Sequence, residues 1–168
     1  YWIRATAALR PPVERIDKGD GPIVEIRRRP LGVVGSITPW NFPVMIANGH
    51  IVPALLAGNS VVIKPSPNTP LTTLRLAEIA SAHLPAGVFN AVTGDVEIGS
   101  AMARHPGIDK IVFTGSTPTG RAIMRDGAAN LKRLTLELGG NDAAIVLADA
   151  DVDAVAPRIF SAAFGNSG

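Results

Sequence analysis

The chain has 168 residues, 46% of them apolar and 18% charged, which is enough to bury the core of one domain and too apolar for a disordered segment. Its 16 Lys and Arg against 14 Asp and Glu leave a net charge of +2, too little to argue for a nucleic-acid partner. Cysteine is absent, so these residues carry no disulfide, no thiolate zinc site and no thiol nucleophile of their own.

In chain order, residues 1–10 read as the tail of an amphipathic helix, and a Tyr at residue 1 is expected of an interior position in a longer protein. Residues 11–29 are rich in Pro, Gly and charge, with alternation at Ile23-Val24-Glu25-Ile26-Arg27, the pattern of an exposed hairpin or arm. Arg27-Arg28-Arg29 reads as a solvated strand end, because no second basic cluster accompanies it. From residue 31 the texture changes. Apolar, β-branched runs predict strands at 33–37, 61–63, 89–92, 110–113, 134–137 and 143–147. Helical segments are expected near 44–57, 71–84, 97–105, 117–128 and 151–163. Leu84-Pro85 and Gly87 stop the second of these, and Asp149 and Asp151 place acids at the positive end of the last.

Strands alternating with helices at this spacing predict βαβ units, an α/β fold with a mostly parallel sheet covered on both faces. No apolar run reaches the ~18 residues of a membrane span, since Val44–Ala57 is broken by Asn48, His50 and Pro53. No leader is visible, and a cytoplasmic location is expected.

In such a sheet ligands bind outside the carboxyl ends of the strands, so the residues after each strand are the first candidates. Gly115 in FTGSTPTG (113–120) permits a tight turn or a close ligand, and Ser116 or Thr117 suits a helix cap beside a phosphate, or simply a capped turn. Lys64 ends an apolar strand before Pro65, placed for nucleotide hydroxyls or phosphate, or for water. Asn41 lies between prolines and aromatics in TPWNFP (38–43), where a stiffened loop fixes an amide donor of the kind an oxyanion hole needs, or satisfies its own turn. Glu137 in LELGG (136–140) suits a general base if its side chain enters a dry cleft, and otherwise lies on the wet face of its strand. His50, His83 and His105 have no metal spacing and read as partly buried or surface residues. Trp2 and Trp40 read by default as packing residues.

Together PWNFP (39–43), KPS (64–66), FTGSTPTG, LELGG and FGNSG (164–168) resemble the aldehyde dehydrogenase superfamily, in that family's order and at about its spacing over essentially the whole chain. The resemblance implies a Rossmann-like parallel sheet flanked by helices, the family's cofactor-binding domain, plus the start of a catalytic domain. It implies NAD(P)-dependent oxidation of an aldehyde to a carboxylic acid through a thioester. Asn41 would hold the oxyanion formed by thiolate attack, and Glu137 would activate the water that releases the acid. NAD or NADP would lie against Ile37, Thr38, Pro39, Trp40 and Asn41 after the first strand, and against Lys64, Ser66 and Pro67 after the second. Gly99, Phe113, Gly115, Ser116, Gly120 and Leu138 would complete the cofactor site. No metal is implied.

By the same resemblance, residues 1–12 and 32–137 are partial cofactor domain, 13–31 part of an oligomerisation arm, and 138–168 the opening of the catalytic domain. The family's FxNxGQxC motif would place its cysteine three positions beyond Gly168, so the expectation is a fragment of a homodimeric or homotetrameric parent acting on a small-molecule aldehyde, without nucleic acid or membrane. Pro67 stands where NAD-preferring relatives often carry Glu, which removes a ribose acceptor and a repulsion of a 2′-phosphate, so both cofactors stay open. Two alternatives are a non-catalytic dinucleotide-binding or structural module and, less favoured, a relative that forms an acyl-CoA, because those commonly lack the Glu of LELGG.

Overall fold

The structure, a computed structural model, describes residues 2–6 and 12–167. The chain divides into two compact units, Tyr1–Leu138 and Gly139–Gly168. In the first unit, α1 (Trp2–Thr6) packs against α2 (Pro43–Leu56); the rest of the expected N-terminal helix, 7–10, lies outside the described residues. β1 (Glu14–Ile16) and β2 (Val24–Ile26) pair antiparallel with every residue exposed, the expected hairpin arm. Its cross-strand ion pair, Arg28 to Glu14 at 2.8 Å, is half-exposed and adds little.

The rest of this unit is a five-stranded sheet made of β3 (Val33–Ile37), β4 (Ser60–Lys64), β5 (Phe89–Ala91), β6 (Lys110–Gly115) and β7 (Arg133–Leu138). All four pairings are parallel, and the strand order is β5-β4-β3-β6-β7. The crossovers are α2, α3 (Leu71–Ser81), α4 (Val96–Arg104) and α5 (Thr117–Gly127). This is the α/β, Rossmann-like parallel sheet the sequence points to.

Strand alternation sorts the apolar residues into two cores, one on each face. Val34, Val61 and Ile63 meet Ala47 and Ile51 of α2. Ile37, Ile111 and Phe113 meet Met102 and Ala103 of α4 and Ile123 of α5. Gly35 belongs to the second face, and a Cβ there would lie 2.5 Å from Ile111 Cδ1.

The local chemistry explains the helix ends. Pro43 opens α2 where no intrahelical N–H is needed. Ser116, rather than Thr117, caps α5. The expected 71–84 helix stops at Ser81, and Gly87, at φ +83°, makes the turn into β5.

In the second unit Asp151 caps α6 (Val152–Phe164), its carboxylate accepting from Asp153 N at 3.1 Å and Ala154 N at 3.3 Å. The strand expected at 143–147 does not form. A strand needs a partner, and among the described residues none pairs with this segment, which leaves Ile145 85% and Leu147 69% exposed. Gly168, the last residue of FGNSG, lies outside the described residues. Among the described residues no helix is long and apolar enough to cross a membrane.

Candidate functional site

From β3 the chain winds one way through α2 to β4 and β5, then returns through α4 to β6 and β7. The strand order therefore reverses between β3 and β6, and a crevice opens beyond their carboxyl ends. A cleft of ≈ 420 Å³ lies there.

Three loops that are far apart in sequence line it. From β3 come Ile37, Thr38, Pro39 and Trp40. Thr38 N donates to Lys64 O at 3.1 Å, which ties this loop to the end of β4. Thr38 is 4% exposed, and its Oγ1 is buried with no hydrogen-bond partner. Trp40 is 62% exposed at the cleft mouth, so the packing default does not hold for it.

From β4 come Lys64, Ser66 and Pro67. Lys64 does not point into water. It is 6% exposed, and its Nζ donates to Pro65 O at 3.0 Å and Gly94 O at 2.7 Å. Burial lowers its pKa, and the nearby Asp95 carboxylate works the other way. An ammonium has three N–H donors, so one remains beyond these two acceptors. Gly99, near the start of α4, faces the lysine stem, and a Cβ there would make an ordinary contact at 3.7 Å from Lys64 Cε.

From β6 come Phe113, Gly115 and Ser116. A Cβ on Gly115 would lie 2.5 Å from Phe113 Cζ, so glycine is what allows the turn to fold over the ring. Ser116 Oγ accepts from Thr119 N at a loose 3.4 Å, and Pro118 offers no N–H, so the first turn of α5 has few free donors to offer a phosphate and acts there chiefly through its dipole.

Four of the sequence-predicted residues lie elsewhere. Gly120 is buried in α5 and meets Leu138 of β7, 2.6 Å from its absent Cβ; neither lines the cleft. Asn41 sits in the exposed bend ahead of α2. Glu137 is exposed near the end of β7, in register with Thr114, so the dry setting expected for a base is not provided by these residues. The cleft thus brings together most of the expected nucleotide positions but not Asn41, Gly120 or Leu138, and neither expected catalytic residue lines it.

Two arrangements have little signal in the local sequence. His50 of α2 is held between strands, its Nδ1 2.8 Å from Ser36 Oγ and its Nε2 3.1 Å from Thr114 Oγ1. Burial pushes its pKa down from 6.5 to about 4, so near neutral pH the ring is uncharged, with one nitrogen donating and the other accepting. At the other lip, Ser100 of α4 donates to Asp126 of α5, and Arg104 reaches both, at 2.6 Å to Ser100 Oγ and 3.2 Å to Asp126 Oδ2. The Ser100 hydrogen bond, with Arg104 and Arg125 beside it, holds the Asp126 carboxyl below its usual range, although burial opposes this. The only hint of the first arrangement was polar Ser36 and Thr114 in otherwise apolar strands.

The residues present fit a dinucleotide. A buried hydroxyl without a partner, a lysine with a spare donor and a Ser-capped helix start meet at one switch-point cleft.

A family model described as Aldehyde dehydrogenase family matches residues 2–168. Aldehyde dehydrogenase LUC3 of Fusarium sp is 44% identical over 167 residues, covering 99% of this chain and 35% of its own. The crystal structure of PnpE in complex with nicotinamide adenine dinucleotide superposes with a TM-score of 0.91 at 43% identity, over 98% of this chain and 34% of that one. Aldehyde dehydrogenase C of Pseudomonas syringae, solved with NAD+ and octanal, gives 0.87 at 41% identity, over 98% and 33%. The chain thus spans about a third of the length of the relatives it matches.

Proposed function

Because the chain belongs to the aldehyde dehydrogenase family, we propose that the full-length protein carrying it oxidises an aldehyde to a carboxylic acid, consuming one water and reducing one NAD+ or NADP+. The convergence of three separated loops on one cleft, with the Thr38 hydroxyl buried there unpartnered, carries this reading.

A nicotinamide dinucleotide bound in the cleft supplies the hydride acceptor. Lys64 offers its remaining N–H to the nucleotide, Thr38 its hydroxyl, and the start of α5 its dipole to the phosphates. Pro67 on the cleft wall brings no charge against a 2′-phosphate. The Asn41 amide donates to the oxyanion that forms when a thiolate adds to the aldehyde carbon, and loss of hydride from that carbon leaves a thioester. The chain has no cysteine, so in this reading the thiol comes from sequence outside these residues. Glu137 takes a proton from the water that attacks the thioester, the C–S bond breaks, and acid and thiolate separate. Residues 139–168 belong in this reading to the catalytic domain. The exposed β1–β2 arm, with Val13 54% and Ile23 50% exposed, serves homo-oligomer assembly.

The test supplies the purified full-length protein with a panel of aldehydes and either NAD+ or NADP+. Equal amounts of reduced cofactor and free acid are expected. Binding of dinucleotide with no aldehyde-dependent reduction would leave a non-catalytic binding module. Turnover that requires coenzyme A would replace the acid-forming reading with the acyl-CoA one.

A further inference from the structure

We infer that His50 is a positioning residue for the dinucleotide cleft, clamping β3 to β6 at the level where the two halves of the sheet part. The inference rests on the dinucleotide reading above.

The backbone ladder between β3 and β6 ends at the pair Ile37 and Phe113. Beyond it each strand keeps only its outer neighbour. Thr114 and Gly115 continue along Glu137 and Leu138 of β7, while Thr38 N bonds to Lys64 O at the end of β4. The cleft opens in this parting, so its width depends on what holds the two strand ends at a fixed separation. His50 ties Ser36, the next-to-last β3 residue of that ladder, to Thr114, the first β6 residue beyond its end. Ser36, which takes Nδ1, is fully buried and stands two residues before Thr38; Thr114, which takes Nε2, lines the cleft and precedes Gly115 and Ser116. Both partners are hydroxyls, and each can donate or accept to match either ring tautomer. The ring comes from α2, a helix packed on β3 and β4, and it bonds β6 through Thr114. Its neutral state, favoured by burial, suits a clamp between two uncharged hydroxyls.

Without the ring, Ser36 Oγ is left buried without its partner, and the end of β6 past Phe113 loses its side-chain tie to β3 and keeps only β7. The nucleotide then has to restore the spacing at the expense of its own affinity.

The experiment measures NAD+ and NADP+ binding to the full-length protein, by titration, and the KM for dinucleotide and kcat under saturating aldehyde. His50→Leu is expected to raise the dissociation constant and KM about tenfold, as for loss of about 1.4 kcal/mol of binding, with a smaller fall in kcat. A merely structural role would instead lower the active fraction and leave KM unchanged. Thr114→Val should reproduce most of the effect, and the double variant should add little, because both remove the same bond. His50→Gln, whose amide reaches toward Thr114, should recover most of the affinity. Wild-type affinity in folded His50→Leu, or independent addition of the His50 and Thr114 effects, would overturn the clamp while leaving the dinucleotide reading intact. A wild-type protein that binds neither dinucleotide would overturn both.

Discussion

Lys64 ends an apolar strand yet is almost wholly buried, because two backbone carbonyls replace the water its ammonium gives up. Asn41 and Glu137 contrast with it, since both are exposed in these residues. If Asn41 holds the oxyanion, Asn41→Ala in the full-length protein should lower kcat/KM by about 10²–10³, the usual loss for one such donor; an unchanged value would remove it from the chemistry. If Glu137 is the base, Glu137→Gln should leave the first burst of reduced cofactor intact and slow release of acid, so stopped-flow would show a burst followed by a slowed steady state. His50 bears on stability as well. The unfolded chain takes up a proton near 6.5, which the folded chain refuses until about 4. Stability is therefore full above the upper value and falls as pH drops through this window, by up to about 3 kcal/mol. The difference in unfolding midpoint between wild type and His50→Gln should narrow or reverse between those two values; a constant difference would contradict it. Lys64 and the β6 turn were legible in sequence because motif and strand end coincide. His50 was not, because its partner Thr114 lies 64 residues away and only the fold brings them together.

At the scale of elements, periodicity and punctuation locate most of the secondary structure. Pro43, Ser116 and Asp151 mark helix starts by chemistry that needs no tertiary partner. The exception is 143–147, where an apolar run predicts a strand that has no ladder among the described residues. Composition signals readiness to pair and cannot supply the second strand. Gly120 is legible as part of a glycine-rich turn, and the fold sets it against Leu138 rather than in the lining of the cleft. A Cβ at that position would come within 2.6 Å of Leu138 Cδ2, so Gly120 sets the distance between α5 and β7. Gly120→Ala should lower stability by no more than about 1 kcal/mol, because the clash is with the end of a leucine side chain that is 38% exposed and alanine favours the helix. A thermal midpoint equal to or above that of wild type would show that Leu138 yields without loss.

At the scale of the whole molecule, the parallel sheet with helices on both faces was legible from the alternation of strands and helices, and strand order is what the sequence pattern leaves undetermined. That order has a kinetic consequence. β3, β4 and β5 are consecutive along the chain, while β6 must return past them to pair with β3. A folding chain can therefore complete one half of the sheet while the cleft still lacks its Phe113–Ser116 wall. A dinucleotide would have little to bind in such a half-formed sheet and much to bind once β6 has docked. A ligand that recognises only the finished state stabilises it by mass action and leaves the earlier barrier untouched. Added NAD+ should slow unfolding of the full-length protein without speeding refolding, and double-jump kinetics would reveal any acceleration. The reversal in strand order that creates the crevice thus also makes cofactor retention a brake on loss of the fold rather than a guide to reaching it.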